Sequence, residues 1–219
     1  MAISFVGVAH GTTSATLPTF TDGDIAVCFA FRDGSTTNPT VPAGWITLTN
    51  TADGTTCSIS VGWRRLIYTD TTTSTWTNAT RVSVGLWRGC EPFIAAIGGT
   101  PQASAGTTNT VSWGAGAQTM TRGDGTSWIA GFGGHRSIDT TIDSAAITGM
   151  TARGSAVDAN AETAVWDTNA GVASWASHSQ TITGTASGWQ TYMVELLALP
   201  AQVESNVGGA NQPSFKRVA

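Results

Sequence analysis

Short apolar runs separated by turn residues are the dominant pattern along the chain. The run GDIAVCFAFR (23–32) lies between two Asp-Gly turns and is almost wholly apolar, which is typical of a strand with both faces buried. The segments TVPAGWITLTN (40–50), CSISVGWRRLIY (57–68) and ATRVSVGLW (79–87) alternate apolar and polar positions over much of their length, as half-buried strands do. These four segments predict β-strands in the first part of the chain.

The same kind of segment recurs through the rest of the chain. Further candidate strands lie at 2–9, 92–99, 126–134, 145–153, 164–167, 176–185 and 189–200. Ten or more short strands with turns between them indicate a sandwich or jelly roll rather than alternating strands and helices. Thr, Val, Trp and Gly are abundant while Glu and Lys are scarce, so we expect less than about a tenth of the chain to be helical.

The predicted organisation is one all-β domain followed by a segment of a different kind. No repeat of fixed period is visible, so residues 1–199 are assigned to a single β-sandwich, jelly-roll-like domain. Residues 200–219 show neither strand nor helix periodicity and too few apolar side chains to offset the entropy lost on ordering. We expect an extended C-terminal arm that gains its contacts in a groove between subunits. Its predicted interface residues are Val207, Phe215, Lys216 and Arg217.

Charge and hydropathy argue against two classes of partner. The net charge is −4 and the isoelectric point is near 5.2, whereas a dedicated nucleic-acid binder normally has a basic surface. No stretch approaches 18 consecutive apolar residues, and the first residues lack the basic and apolar regions of a secretion signal. We therefore expect neither a nucleic acid nor a membrane among the partners.

The cysteines predict a reducing compartment. Cys28, Cys57 and Cys90 are odd in number and form no C-x-x-C motif. They are expected to be free thiols in a chain made in a cytoplasm. A single disulfide between two of them is the alternative.

Five short motifs occur in a characteristic order. They are Gly23-Asp24 before an apolar strand, Pro42-x-Gly44-Trp45, the strand 63–68, the step Arg88-Gly89, and a last strand entered through Trp189. In this order and spacing the chain resembles the β-sandwich or jelly-roll structural proteins of tailed bacteriophage virions, among them head decoration (cement) proteins. The similarity covers most of residues 20–199.

The resemblance implies a virion part without enzymatic activity. It implies a protein made in the bacterial host cytoplasm that coats and stabilises the head surface. Its partners would be the major capsid protein and copies of itself, as a homotrimer or another symmetric oligomer, and extended arms often make such contacts. Related domains also occur in phage tails. The alternative is therefore a tail or fibre module that recognises a host-surface glycan or receptor.

The residues themselves supply no catalytic, cofactor-binding or metal-binding motif. His10, His135 and His178 are far apart and belong to no triad or zinc pattern. The carboxylates of TDGD (21–24) and DTTID (139–143) lack the full pattern of a calcium loop, so turn-forming Asp is the favoured interpretation. An assembly of a His with Asp in space, or a calcium ion, is the open alternative.

One tripeptide and two tryptophans are candidate recognition elements. Arg122-Gly123-Asp124 matches the sequence that integrin ligands present on a loop, but the favoured interpretation is a β-turn, for which Gly-Asp-Gly is sufficient reason. Trp113 and Trp175 lie among small polar residues, so we expect them to be exposed and to anchor a protein interface. A stacking platform for sugars is the alternative use of exposed Trp.

Four arginines lie on two successive predicted strands: Arg64, Arg65, Arg81 and Arg88. If these strands pair through the Thr-rich turn, the arginines approach one another and need partners. One interpretation is solvent exposure with Asp70 nearby. The other is an acidic patch on a neighbouring subunit, bound bidentately by the guanidinium groups.

Overall fold

The computed structural model describes residues 2–92, 96–114, 116–137, 142, 147–158 and 161–199. Within these ranges the chain forms β-strands and no α-helix, and no segment is a helix long and apolar enough to cross a bilayer. The strands are β1 Ser4–Gly11, β2 Ile25–Asp33, β3 Ile46–Ala52, β4 Cys57–Arg65, β5 Arg81–Arg88, β6 Ile97–Gly106, β7 Thr110–Trp113, β8 Trp128–His135, β9 Thr151–Val157, β10 Glu162–Asp167, β11 His178–Thr181 and β12 Trp189–Leu196.

The all-β class and the β-sandwich are confirmed. A first antiparallel sheet has the order β1-β5-β2-β4-β3, and a second has the order β6-β12-β8-β10-β9. Strands β7 and β11 form a small separate sheet. The connectivity differs from that of a jelly roll, in which successive strands move between the two sheets. Here the first five strands stay in one sheet.

The central strands are apolar because both of their faces are covered. In β2, every residue from Ile25 to Phe31 is buried, as the sequence pattern predicts. The inner faces of both sheets share one core, which contains Phe29 and Val61 of the first sheet with Phe132 and Val165 of the second. The outer face of each sheet is covered by its own connecting segments, which form a second and a third hydrophobic cluster.

The two sheets have the same topology, which the sequence analysis did not detect. If β7 and β11 of the small sheet are set aside, each half of the chain contributes five strands in sequence. In both sheets the first of these five lies at one edge, and the fifth, second, fourth and third follow it in space. In each half, the connection before the second strand also pairs with the connection before the fifth. The paired elements are a Thr16–Thr72 bridge in the first half and the β7–β11 sheet in the second. The chain is therefore a structural duplication of one five-stranded unit.

Register confirms the equivalence of the halves. Phe29 lies opposite Val61 in the first sheet, and Phe132 lies opposite Val165 in the second. The two Phe rings stack on each other across the core, with centroids 5.9 Å apart and planes 10° apart. Each of these two Val residues also pairs with a residue on the next strand of its sheet, and in both sheets one bulge residue comes directly before that partner. The bulge residue is Leu48 in β3 and Arg153 in β9.

Contacts between the halves are reciprocal, as in a two-fold interface. Strand β5 contacts β10 while β12 contacts β4, and β1 contacts β9 while β6 contacts β3. At one end of the sandwich, the Glu91 amide donates to the Leu197 carbonyl at 2.7 Å. The Leu199 amide donates to the Gly89 carbonyl at 3.1 Å. This exchanged pair joins the last residues of the two sheets.

The edge strands of the two five-stranded sheets are irregular. Strands β1, β3, β6 and β9 each contain a bulge or register shift, whereas the pairings between interior strands are regular. Bulges twist an edge strand and interrupt its free hydrogen-bonding groups, which hinders pairing with another chain. Pairing of another strand with these edges is therefore disfavoured.

We expect Phe29→Ala to reduce the free energy of unfolding by about 3–5 kcal/mol, because it leaves a cavity where the sheets stack. Urea unfolding followed by tryptophan fluorescence measures this loss. Ile46→Ala is the matched control: Ile46 is 56% exposed, so its truncation should change stability by no more than about 0.5 kcal/mol. A loss below about 1 kcal/mol for Phe29→Ala would contradict the importance of the stacked pair.

Candidate functional site

Three of the five resemblance motifs, Gly23-Asp24, the strand that contains Arg65, and Arg88-Gly89, meet at the end of the sandwich where the two sheets exchange hydrogen bonds. Asp24 is 2% exposed and accepts both Nε and Nη2 of Arg88, at 2.8 and 2.7 Å. The Thr21 amide donates to the same carboxylate at 2.8 Å. Gly23 has φ +93°, so the turn before β2 requires glycine at this position. The buried charge of Asp24 is thus matched bidentately by one guanidinium group.

Arg65 ties this turn to the end of β5. Its Nη1 donates to the Gly23 carbonyl at 2.8 Å, and its Nη2 donates to the Glu91 carbonyl at 2.7 Å. The result is an arginine cluster formed by Gly23, Asp24, Arg65 and Arg88 around a cleft of about 270 Å³. Leu199, the last described residue, also lines this cleft. Arg88 is the exposed member, with 44% of its side chain accessible.

The other two predicted arginines lie elsewhere. Arg64 pairs with Asp70 at 2.8 Å and lies over the Trp45 ring, while Arg81 pairs with Asp158 at 3.0 Å. The condition that these strands pair is not met, because β2 lies between β4 and β5 and pairs with both. All four arginines therefore have acceptors within their own chain. A role in contacting an acidic neighbour stays a prediction.

Trp113 and Trp175 are buried, so the expectation that they are exposed is wrong. Trp113 is fully buried and packs edge-on against Trp166 with centroids 5.4 Å apart. Trp175 is 8% exposed and lies against the ring of His178. Both cover the outer face of the second sheet, because their connecting segments fold back over it. The small polar neighbours gave the misleading signal, and these rings contribute to the outer core rather than to a surface.

Four further predicted interface residues, Val207, Phe215, Lys216 and Arg217, lie outside the described residues. The same holds for Asp139 and Asp143 of the second candidate carboxylate group. Among the residues that are described, no three His, Cys, Asp or Glu side chains lie close enough together to hold a metal ion.

Arg122-Gly123-Asp124 lies in the loop before β8, where the Asp124 side chain bonds two residues ahead. The Arg122 guanidinium group contacts the Glu91 carboxylate at 3.4 Å and donates to the carbonyl of Ala198. Asp124 accepts the amide and the hydroxyl of Thr126, and these hydrogen bonds hold the pKa of its carboxyl below the usual value. The arginine is engaged with its own chain, which favours the β-turn interpretation.

One histidine does meet a serine, inside the sandwich. His10 Nδ1 lies 2.7 Å from Ser83 Oγ, and the Ser83 hydroxyl donates to Thr163 Oγ1 at 2.7 Å. Ser83 and Thr163 are fully buried, so this pair is closed to a substrate. Burial, and to a lesser degree the charge of Arg81, lowers the pKa of His10 to about 4. The group therefore links the two sheets as a neutral hydrogen-bonding cluster.

A second buried polar cluster was not identified from the sequence. Asp167 is fully buried, accepts Trp87 Nε1 at 2.8 Å, and pairs with Arg153 at 2.7 Å. The Arg153 guanidinium group also lies 4.5 Å from the centre of the Phe5 ring. These contacts join β1 and β5 to β9 and β10. Only the unusual position of a carboxylate at the end of the apolar segment AVWD signals them in the sequence.

The comparisons with known proteins identify no relative. No family model matches the chain, no curated protein matches it, and no solved structure matches it. Its function must be inferred from its own residues.

His10 should make stability depend on pH. Because its pKa is about 4 in the folded protein against 6.5 ordinarily, the unfolded chain binds more protons between these values. The contribution of neutral His10 to the free energy of unfolding is fully present above pH 6.5 and is lost as the pH falls toward 4. In urea unfolding, His10→Gln should therefore lose less stability than the wild type between pH 7 and pH 4.5. Parallel losses in the two proteins would contradict this assignment.

The cysteines are free and buried, as predicted from their number. Burial raises the pKa values of the thiols of Cys28, Cys57 and Cys90, that of Cys90 to about 12. At pH 8, a thiol reagent should therefore react very slowly with the native protein and should find three groups after unfolding without reductant. One group instead of three would reveal a disulfide.

Proposed function

We propose that this chain is a structural protein of a tailed-phage virion that binds the assembled head as a decoration protein. The observation that carries the proposal is the convergence of three of the five resemblance motifs in one place. Gly23-Asp24, Arg65 and Arg88-Gly89 are far apart in sequence, yet they build a single arginine cluster. Motifs that cooperate in the fold are stronger support for a common architecture than isolated matches.

The surface of the molecule supports a role in assembly. Both outer faces are covered by hydrophobic clusters of their own, and the edge strands are bulged. Buried charges such as Asp24 and Asp167 are paired within the chain. A sandwich of this kind is a rigid body that contacts its partners through ends and loops, as a protein that reinforces an existing shell requires.

The proposed contact with the head is made by residues 200–219. The hydrogen bond from Leu199 to Gly89 holds Leu199, the last described residue, at the arginine cluster. From there, Phe215 is proposed to fill an apolar pocket on the major capsid protein or on another copy of this chain. Lys216 and Arg217 are proposed to face acidic groups at the rim of that pocket.

Deletion of residues 201–219 should leave the domain folded and weaken its hold on the particle. Strand β12 ends at Leu196, so the core keeps its contacts and the melting temperature of the isolated domain should change little. Phe215→Ala alone should cost about 2–4 kcal/mol of binding if it is a hot spot. Lys216→Ala should matter mainly at low salt, because ions screen rim charges.

The measurement is the occupancy of each variant on purified particles after a heat or dilution challenge. Gln212→Ala is the control within the same segment and should keep wild-type occupancy. Wild-type occupancy of the truncated chain would refute the role of the arm. Mass analysis of separated heads and tails tests the location, and recovery in the tail fraction would favour the alternative of a tail or fibre module.

A further inference from the structure

A groove of about 580 Å³ lies on the outer side of the first sheet. Two connecting segments form its walls, 16–22 between β1 and β2, and 68–71 between β4 and β5. Tyr68 stands at this groove with 82% of its surface exposed. It is the most exposed large apolar side chain among the described residues. The other aromatic rings in the described part of the chain are buried or half-buried.

The walls are fixed by backbone hydrogen bonds. The Leu17 amide donates to the Thr71 carbonyl at 2.9 Å, next to the Thr16–Thr72 bridge. The turn that carries Tyr68 is closed twice, since the Asp70 amide donates to the Ile67 carbonyl and the Ile67 amide donates to the Asp70 carboxylate. A preformed groove loses little entropy when a ligand binds.

The lining has the chemistry of a sugar site. Its apolar side chains, Leu17, Pro18, Phe20 and Tyr68, are accompanied by four threonines and the exposed carboxylate of Asp22. The second carboxylate, Asp70, is already paired with Arg64. No Lys, Arg or His is among the lining residues, and the two guanidinium groups that reach the lining, those of Arg64 and Arg88, are already bonded to Asp70 and to Asp24 with Thr21. The lining itself therefore offers no cationic partner to an anionic ligand. A ligand with apolar C–H faces and many hydroxyls, without negative charge, fits this arrangement.

We propose that this groove binds a neutral oligosaccharide. Tyr68 stacks against the apolar face of one sugar ring, and Asp22 with the neighbouring threonine hydroxyls accepts and donates hydrogen bonds to its hydroxyl groups. The inference does not rest on the proposed attachment to the head, because it is argued from the lining of the groove, although Thr21 and Asp22 also line the cleft at the arginine cluster. In the corresponding layer of the second sheet, the aromatic residue Trp175 is buried and offers no such surface.

The experiment uses the full chain and an array of neutral gluco-, galacto-, manno- and N-acetylglucosamine oligomers, followed by calorimetric titration of the best binder. Tyr68→Ala should weaken binding about tenfold or more, which corresponds to about 1.4 kcal/mol. Tyr68→Phe should retain most of the affinity, because stacking uses the ring. Asp22→Asn should weaken binding without affecting the fold, and Ile46→Ala, an exposed apolar control, should bind as the wild type does.

The absence of binding to every sugar on the array would overturn the proposal, as would equal binding by Tyr68→Ala. A synthetic peptide of residues 205–219 serves as the competing probe. If this peptide binds with Tyr68-dependent affinity while the sugars do not, the groove belongs to a protein segment and the sugar assignment is refuted. Loss of the arm-dependent occupancy on particles would not affect the sugar titration, so the two proposals fail separately.

Discussion

The burial of two equivalent sheet faces against each other is the constraint on which the rest of this molecule depends. Each five-stranded unit has an inner face that is apolar along its central strand, and neither face has another cover within the described chain. The stack of Phe29 on Phe132 marks the centre of this contact. Apolar burial supplies most of the favourable free energy of folding. We therefore expect the hydrophobic clusters on the outer faces to pack onto sheets that are already stabilised by the shared core.

Buried polar clusters fix how the two sheets meet. The His10–Ser83–Thr163 cluster and the Trp87–Asp167–Arg153 cluster both join the first sheet to the second. Apolar packing is tolerant of small shifts, whereas hydrogen bonds of 2.7–2.8 Å require one alignment. We infer that these clusters select one register between the sheets, at some cost in desolvation. Variants that replace both partners by apolar residues would keep stability while loosening that register.

The strands are predictable from sequence because the period-two pattern and the apolar run at 25–31 are local signals. The spatial neighbours of each strand cannot be predicted in the same way. The strands of Arg64 and Arg81 follow one another in sequence, yet β2 lies between them in the sheet. Duplication escaped detection because few matched positions, such as Val61 and Val165, keep the same residue. The sequence analysis identified the motifs that form the arginine cluster, but it did not predict that they lie together in the fold.

Duplication also explains how one half can acquire a site that the other lacks. Both halves need their inner faces for the shared core, so substitutions there affect two sheets at once. The outer layers are under no such joint constraint. In the second half, Trp113 and Trp175 fill the outer cluster and close it. In the first half, Trp45 and Trp76 pack against each other in the corresponding outer cluster, and Tyr68 is not part of that cluster. An aromatic ring that the core does not require is free to serve recognition, which is where we place the sugar groove.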